Sequence, residues 1–286
     1  MAWVWQDRNG RFSALRAALF AAILAPGLFI LGKILTGNLG SEPFTEVEHE
    51  LGLWTVRLLL TTLAVTPFQR SLGWRGLGSV RRMLGVATAC YVLLHLSAYI
   101  VDQSFDLVKV ATEIVLRFYL LVGITAIIGL VALAVTSTDR MAQRLGRNWS
   151  RLHKLVYPIA FLALTHFFIQ AKLDITEPTW MAGLFAWLLG WRLLPPLFGR
   201  RPPPVWALAL LSLGVASLTA LAEAFYFHLL TGVGMGMVLG ADFSFDTGLR
   251  PPMLVLAGGG AVTLAALGRA AWPLLPRLYR TVPQPR

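Results

Sequence analysis

The chain has 286 residues, of which 56% are hydrophobic and 14% charged, where a soluble globular domain carries roughly 25% charged residues. That composition excludes an ordinary soluble enzyme and describes a membrane protein. A formal net charge of +11 is high enough to suggest nucleic acid, but its distribution along the chain follows membrane topology instead.

A bilayer crossing takes about 20 helical residues. Apolar stretches of about that length occur near 14–35, 52–68, 83–101, 118–136, 152–171, 179–198, 204–230 and 252–268. The first follows Arg8, Arg11 and Arg16 as a signal peptide would, yet no small-residue cleavage site precedes Lys33 and seven more spans follow. It reads as a retained helix. The third span holds the single cysteine, Cys90, which excludes an internal disulfide and a C-x-x-C-H attachment.

With the N-terminus inside, the segments 1–16, 69–82, 137–154, 192–201 and 269–286 hold 19 of the 25 Lys and Arg. The opposite connections, 36–51, 102–117, 172–178 and 232–251, hold 11 of the 14 acids. An even number of spans with positive charge inside predicts that both termini are cytoplasmic. The fold class expected is therefore all-α, a polytopic bundle of about eight transmembrane helices. Loops are short, and no G-x-G-x-x-G follows a strand-like run, so no soluble nucleotide-binding domain is expected.

The basic, proline-rich turn "GRRPPPV" at 199–205 separates six spans from a final pair. It suggests a core over 1–200 and a two-helix extension over 201–286. The glycines of "TGVGMGMVLG" (231–240) and "GGG" (258–260) read as loop and close helix packing rather than a phosphate cradle.

Five histidines are present: His49, His95, His153, His166 and His228. An ionisable side chain in lipid is costly and faces the bundle interior or a cofactor; a single membrane histidine is otherwise explained by an interhelical hydrogen bond. His95 lies about six residues before the outer end of the third span and His166 about five before that of the fifth, and these spans run in the same direction. Two neutral imidazoles at one depth on facing helices are what axial ligation of a haem iron requires. His153 lies thirteen residues before His166, about 20 Å nearer the cytoplasm, which makes a second, inner redox site available. On a straight helix those two residues are about 220° apart in azimuth. Pro158 between them is expected to kink the helix and alter that angle. Thirteen residues before His95 stands Arg82, so the inner site has no second histidine on the third span.

The stretches "ELGLWTVRLLLTTLAVTPF" (50–68), "RRMLGVATACYVLLHLSAYIVD" (81–102), "ALAVTSTDRMAQRLGRNWSRLHKLVYPIAFLALTHFFIQAK" (132–172) and the return through "LLGWRLL" resemble the MsrQ or YedZ family of haem-binding membrane subunits. This family lies within the ferric-reductase-like transmembrane superfamily. The resemblance spans roughly residues 10–200 and leaves the 201–286 extension outside the six-helix pattern. It implies a bacterial inner-membrane electron carrier with b-type haem, one or two per chain, and FMN. The donor would be the quinol pool or a flavin reductase. The acceptor would be a periplasmic molybdenum enzyme, MsrP-like, that reduces methionine sulfoxide in envelope proteins and itself performs that reduction. The family's haem histidines carry over as His95, His153 and His166.

Among the other polar groups, Arg57 either snorkels to the interface or pairs with a haem propionate. Arg81, Arg82, Arg147, Arg151 and Lys154 cluster at the cytoplasmic mouth beside His153. They act as topology determinants or meet haem propionates, an FMN phosphate or a quinone headgroup. Trp74 and Trp149 read as interface anchors, and His49 and His228 as structural. Two further readings stay open at this point: a proton-coupled transporter using His95, His166 and Glu223, and a non-redox membrane assembly subunit.

Overall fold

A computed structural model describes residues 4–6, 10–172, 174–199, 202–245 and 248–271. Arg8, Arg200, Arg201 and the tail 272–286, on which the expected siting of both termini rests, lie outside the described residues. The helices are α1 (Ala14–Leu35), α2 (Pro43–Leu72), α3 (Arg81–Asp102), α4 (Leu107–Leu116), α5 (Phe118–Val135), α6 (Asp139–Leu145), α7 (Arg147–Leu152), α8 (Val156–Gln170), α9 (Thr176–Leu197), α10 (Val205–Thr231), α11 (Met235–Asp242) and α12 (Pro251–Ala271). Single 3-10 segments cover Arg75–Val80 and His153–Leu155, and no strand of a sheet occurs among the described residues.

Seven of these segments are long and apolar enough to cross a membrane, α7 and α8 counting as one. The helix over the expected span 179–198, α9, has 22 residues but falls short of the same apolarity, because it carries Glu177, Arg192, three prolines and three tryptophans. This is a multi-pass, all-helical membrane protein.

Local chemistry sets most helix ends. Ser13, Asp106 and Thr138 cap α1, α4 and α6 through side-chain oxygens that accept from Arg16, Lys109 and Met141 N–H. Gly232 ends α10 in the left-handed region at φ 72°. Two spans differ from their sequence reading. The second begins at Pro43, nine residues before the apolar run, because "EVEHEL" keeps the helical register: Val47 and Leu51 are buried and Glu46 lies in the first turn, where a carboxylate suits the helix dipole. Arg57 is therefore well inside α2. The span expected as one kinked helix over 152–171 is instead α7, a 3-10 turn at His153–Leu155, and α8. Pro158 occupies the first turn of α8, where no intrahelical N–H is required, so the interruption lies before it.

By packing, the chain forms two compact units, Met1–Thr62 with Gly78–Lys172, and Leu63–Leu77 with Leu173–Arg286. This division falls after Lys172 and differs from the one expected at "GRRPPPV", since α9 packs with α10 and α12. In the first unit α5 packs on α8, α3 and α4. Pro26 lies inside α1, and beside it the Tyr91 hydroxyl of α3 enters the helix ladder: Gly27 N–H donates to it at 2.9 Å and it donates to Ile23 O at 2.7 Å. In the second unit, glycines bring helices into close contact, as in membrane packing generally. A Cβ on Gly183 would stand 2.5 Å from Val255 Cγ2, and one on Gly259 would stand 2.5 Å from Ser212 Oγ. This is the close packing expected for the "GGG" stretch, while the second half of "TGVGMGMVLG" forms α11.

Candidate functional site

Within the first unit the imidazoles of His95 on α3 and His166 on α8 lie with ring centroids 6.4 Å apart and planes at 75°. Each ring is held in the same way. His95 Nδ1 is 2.8 Å from Glu48 O, and His166 Nδ1 is 2.8 Å from Tyr119 O. A carbonyl oxygen can only accept, so Nδ1 carries the proton in both rings and Nε2 keeps its lone pair. Each Nε2 could then serve as a ligand atom, oriented by the hydrogen bond at the opposite ring nitrogen. Among the described residues neither Nε2 has a hydrogen-bond partner.

The helix behind each ring has a glycine at the point of contact. A Cβ on Gly52 of α2 would meet His95 Cε1 and Nδ1 at 3.1 Å, and one on Gly123 of α5 would meet the same atoms of His166 at 2.9 Å. The accepting carbonyls belong to the residues four positions before these glycines, Glu48 and Tyr119.

Two imidazoles bonded at about 2 Å to one ion, the usual length for such bonds, place their ring centroids roughly 6.3 Å apart; the observed 6.4 Å fits that span. No group of three or more His, Cys, Asp or Glu suited to a metal occurs among the described residues. The pair therefore suits an ion that brings its own equatorial ligands, as haem iron does, rather than a bare cation that needs four or more protein ligands.

The remaining sequence-selected residues are placed elsewhere. His153 stands in the 3-10 turn before α8, and from Val156 to His166 the helix rises about 15 Å. Its ring stacks on Trp149 at 4.0 Å, Nδ1 is 3.0 Å from Trp149 O, and Nε2 is 3.3 Å from Ser137 Oγ. Trp149 Nε1 in turn donates to Thr136 O at 2.9 Å, so the inner end of α5 and the α7 turn are tied through this pair. Arg82, on α3, forms an ion pair with Asp139 of α6 at 2.6 Å, and Arg151 is exposed on α7. Arg57 lies over the Trp54 ring at 4.9 Å; five residues past Gly52, it is about 140° round α2 from the imidazole-facing side. His49 is exposed, and His228 Nδ1 is 3.1 Å from Val233 O beyond the end of α10.

In the second unit Glu223 and Asp242 are 1% and 0% exposed. Arg250 reaches both, Glu223 Oε1 at 2.7 Å and Asp242 Oδ1 at 3.4 Å. Burial raises the Asp242 carboxyl above its ordinary pKa, while Arg250 holds it down. Sequence reading singled out Glu223 but neither of these partners. It also passed over Gly52 and Gly123, whose signal is the 47-residue separation shared by the two imidazole–carbonyl pairs.

The class to which this helical bundle is matched is the ferric reductase like transmembrane component, a family whose match covers residues 51–164. The match includes Gly52, His95, Gly123 and His153, and ends two residues before His166. The chain is 45% identical over 206 residues to the protein-methionine-sulfoxide reductase heme-binding subunit MsrQ of Xanthomonas campestris pv. campestris (strain B100), covering 67% of this chain and 94% of that protein. It is 41% identical over 198 residues to the subunit of the same name from Rhodospirillum rubrum (strain ATCC 11170), covering 68% and 93%. The chain belongs to the MsrQ family. No solved structure matches it.

Proposed function

We propose that this chain is a haem-bearing electron-transfer subunit of the bacterial inner membrane, with both termini in the cytoplasm. It holds one b-type haem between His95 and His166 and delivers electrons to a periplasmic, molybdenum-dependent methionine sulfoxide reductase of the MsrP kind. The observation that carries this reading is the pair of imidazoles 6.4 Å apart, each locked by an Nδ1–H bond to a backbone carbonyl. The names of the MsrQ relatives, heme-binding subunits of a methionine sulfoxide reductase, support both the group and the partner.

Bound haem supplies a one-electron couple. His95 and His166 would hold the group through their Nε2 atoms, and the carbonyls of Glu48 and Tyr119 would raise their basicity and fix their planes. Both residues lie in the last two turns of their helices, α3 ending at Asp102 and α8 at Gln170, which supports a site toward the proposed periplasmic side and a short path to the acceptor. On the other side, His153 with Arg82 and Arg151 lines the donor mouth, where quinol or a flavin reductase with FMN delivers electrons or a second, weaker haem is held. Of the two roles open to Arg57, the propionate counter-charge has the weaker support, because the residue lies over Trp54 and about 140° round α2 from the side that faces His95. A proton relay through His95, His166 and Glu223 is less well supported, because Glu223 is already engaged by Arg250.

The test is the visible spectrum of purified protein produced with ample haem supply. A Soret band that shifts on reduction, with low-spin bis-imidazole character lost in both His95→Ala and His166→Ala, is expected. Protein without that band, or a full bis-imidazole spectrum in both variants, would overturn the assignment.

A further inference from the structure

We propose that Gly52 and Gly123 are positioning residues for the two imidazoles, and that the α2–α3 and α5–α8 hairpins carry the same imidazole-holding device twice. The inference rests on the haem reading above and adds to it the residues that set ring geometry.

The argument begins with the helix ladder. In α2 the Glu48 carbonyl accepts the Gly52 N–H by the ordinary i→i−4 pattern, and it has a second lone pair free. An imidazole reaches that lone pair only by lying against the helix backbone one turn further on, where any side chain would stand in its way. Glycine leaves the place open: the missing Cβ would be 3.1 Å from both Cε1 and Nδ1 of His95. On α5 the arrangement recurs with Tyr119 O, Gly123 and His166, and the missing Cβ would be 2.9 Å from the same two ring atoms. Both hydrogen bonds are 2.8 Å long and both bridge 47 residues of chain.

These glycines have no other evident task. Neither has positive φ, and a mid-helix glycine weakens its helix relative to alanine. Open helix faces occur elsewhere: Gly214 and Gly260 have no atom within 4 Å of a Cβ position. At Gly52 and Gly123 the space is filled by an imidazole edge, so the helix gives up propensity for ring placement. A Cβ would push the ring away from the carbonyl, break the Nδ1–H bond and free the ring to rotate, turning Nε2 from the shared axis. The two sites differ in degree. A contact of 3.1 Å is relieved by a shift of a few tenths of an ångström, whereas 2.9 Å at Gly123 forces a larger displacement.

The test uses the full-length, haem-loaded protein with Gly52→Ala, Gly123→Ala and, as control, Gly214→Ala. Alanine is the better helix former, so helical content should hold in all three. Gly123→Ala should weaken haem retention by roughly 10–100-fold, the range for losing a hydrogen bond that orients a metal ligand. It should also change the electron paramagnetic resonance signature of the low-spin site. Gly52→Ala should act in the same direction and less strongly, and Gly214→Ala should not act. Nitrogen NMR of labelled histidine on the same samples reads the Nδ1–H bond directly, with or without haem; Gly123→Ala should remove it at His166 and leave it at His95. Parental haem retention and resonance signature in both glycine variants, or an intact His166 Nδ1–H bond in Gly123→Ala, would overturn the proposal. Parent protein that binds no haem would instead sink the functional reading, and the NMR result would then decide the positioning role alone.

Discussion

Replacing Arg250 with alanine should destabilise the second unit strongly, and more so as pH rises. The guanidinium is the positive group bonded to Glu223 at 2.7 Å and to Asp242 at 3.4 Å, and those carboxyl groups are 1% and 0% exposed. Removing one partner of a buried ion pair costs about 3–5 kcal/mol, because the other charge stays buried without compensation. Arg250 is itself 24% exposed at its side chain, so water can partly replace it, and a loss of about 3 kcal/mol is expected from the lower end of that range. The pH dependence follows from Asp242. Burial already holds its folded-state pKa above the ordinary value, and Arg250 opposes that rise. Without the guanidinium the folded pKa moves further up, so between the unfolded and folded pKa values the folded state binds more protons. Stability then falls as pH rises through that window and recovers on acidification. Urea or thermal unfolding of the detergent-solubilised variant, followed by helical circular dichroism from mildly acidic to neutral pH, measures both effects. A loss below about 1 kcal/mol with no pH dependence would refute the claim that this guanidinium compensates two buried carboxylates.

Tyr91→Phe removes the hydroxyl that joins Gly27 N–H to Ile23 O beside Pro26; two polar contacts at membrane depth average about 0.6 kcal/mol each by double-mutant cycles, so a loss of about 1–2 kcal/mol in detergent unfolding is expected, and an unchanged midpoint would count against the bridge. His153→Ala should leave the low-spin haem spectrum of the outer site intact while slowing reduction by quinol or reduced flavin, as measured by stopped-flow absorbance; reduction at the parental rate would remove His153 from the donor mouth. A chain ended at Gly199 should keep the imidazole site, whose residues all precede Lys172, but lose thermal stability, since α9 loses the partners that Gly183 and Gly259 allow it to approach. Loss of a haem equivalent from such a folded chain would show that the extension takes part in ligation.

The readings that came through from sequence are those governed by local or one-dimensional physics. Hydrophobic runs of bilayer length predict helices because every backbone group in lipid must bond within its own segment, and among the described residues helix lies over each of the eight runs, the one at 152–171 broken at His153–Leu155. The helical stretch Pro43–Leu51 was hidden, since it is polar and only its two buried residues, Val47 and Leu51, reveal its register. The sequence predicts a kink at Pro158, whereas the break lies earlier, at His153–Leu155, because proline in a first turn does not kink a helix. The boundary at "GRRPPPV" marks a change in composition, but which helices pack together is set by side-chain contacts across the chain, and those join α9 to α10 and α12.

By itself, then, the sequence determined that the chain spans a membrane with helices, and that two of its histidines stand at one depth on helices running the same way. Depth along a helix follows from counting residues, since each adds a fixed rise. What only the tertiary structure decided is azimuth and neighbourhood: that His95 and His166 turn toward each other, that Gly52 and Gly123 open the faces behind them, and that Glu48 and Tyr119 lend backbone carbonyls to fix the tautomer. The same holds for Arg250 meeting Glu223 and Asp242. These pairings join residues far apart in the chain, and a backbone carbonyl looks the same at every position of a sequence. It becomes a specific acceptor only when packing brings one particular donor to it.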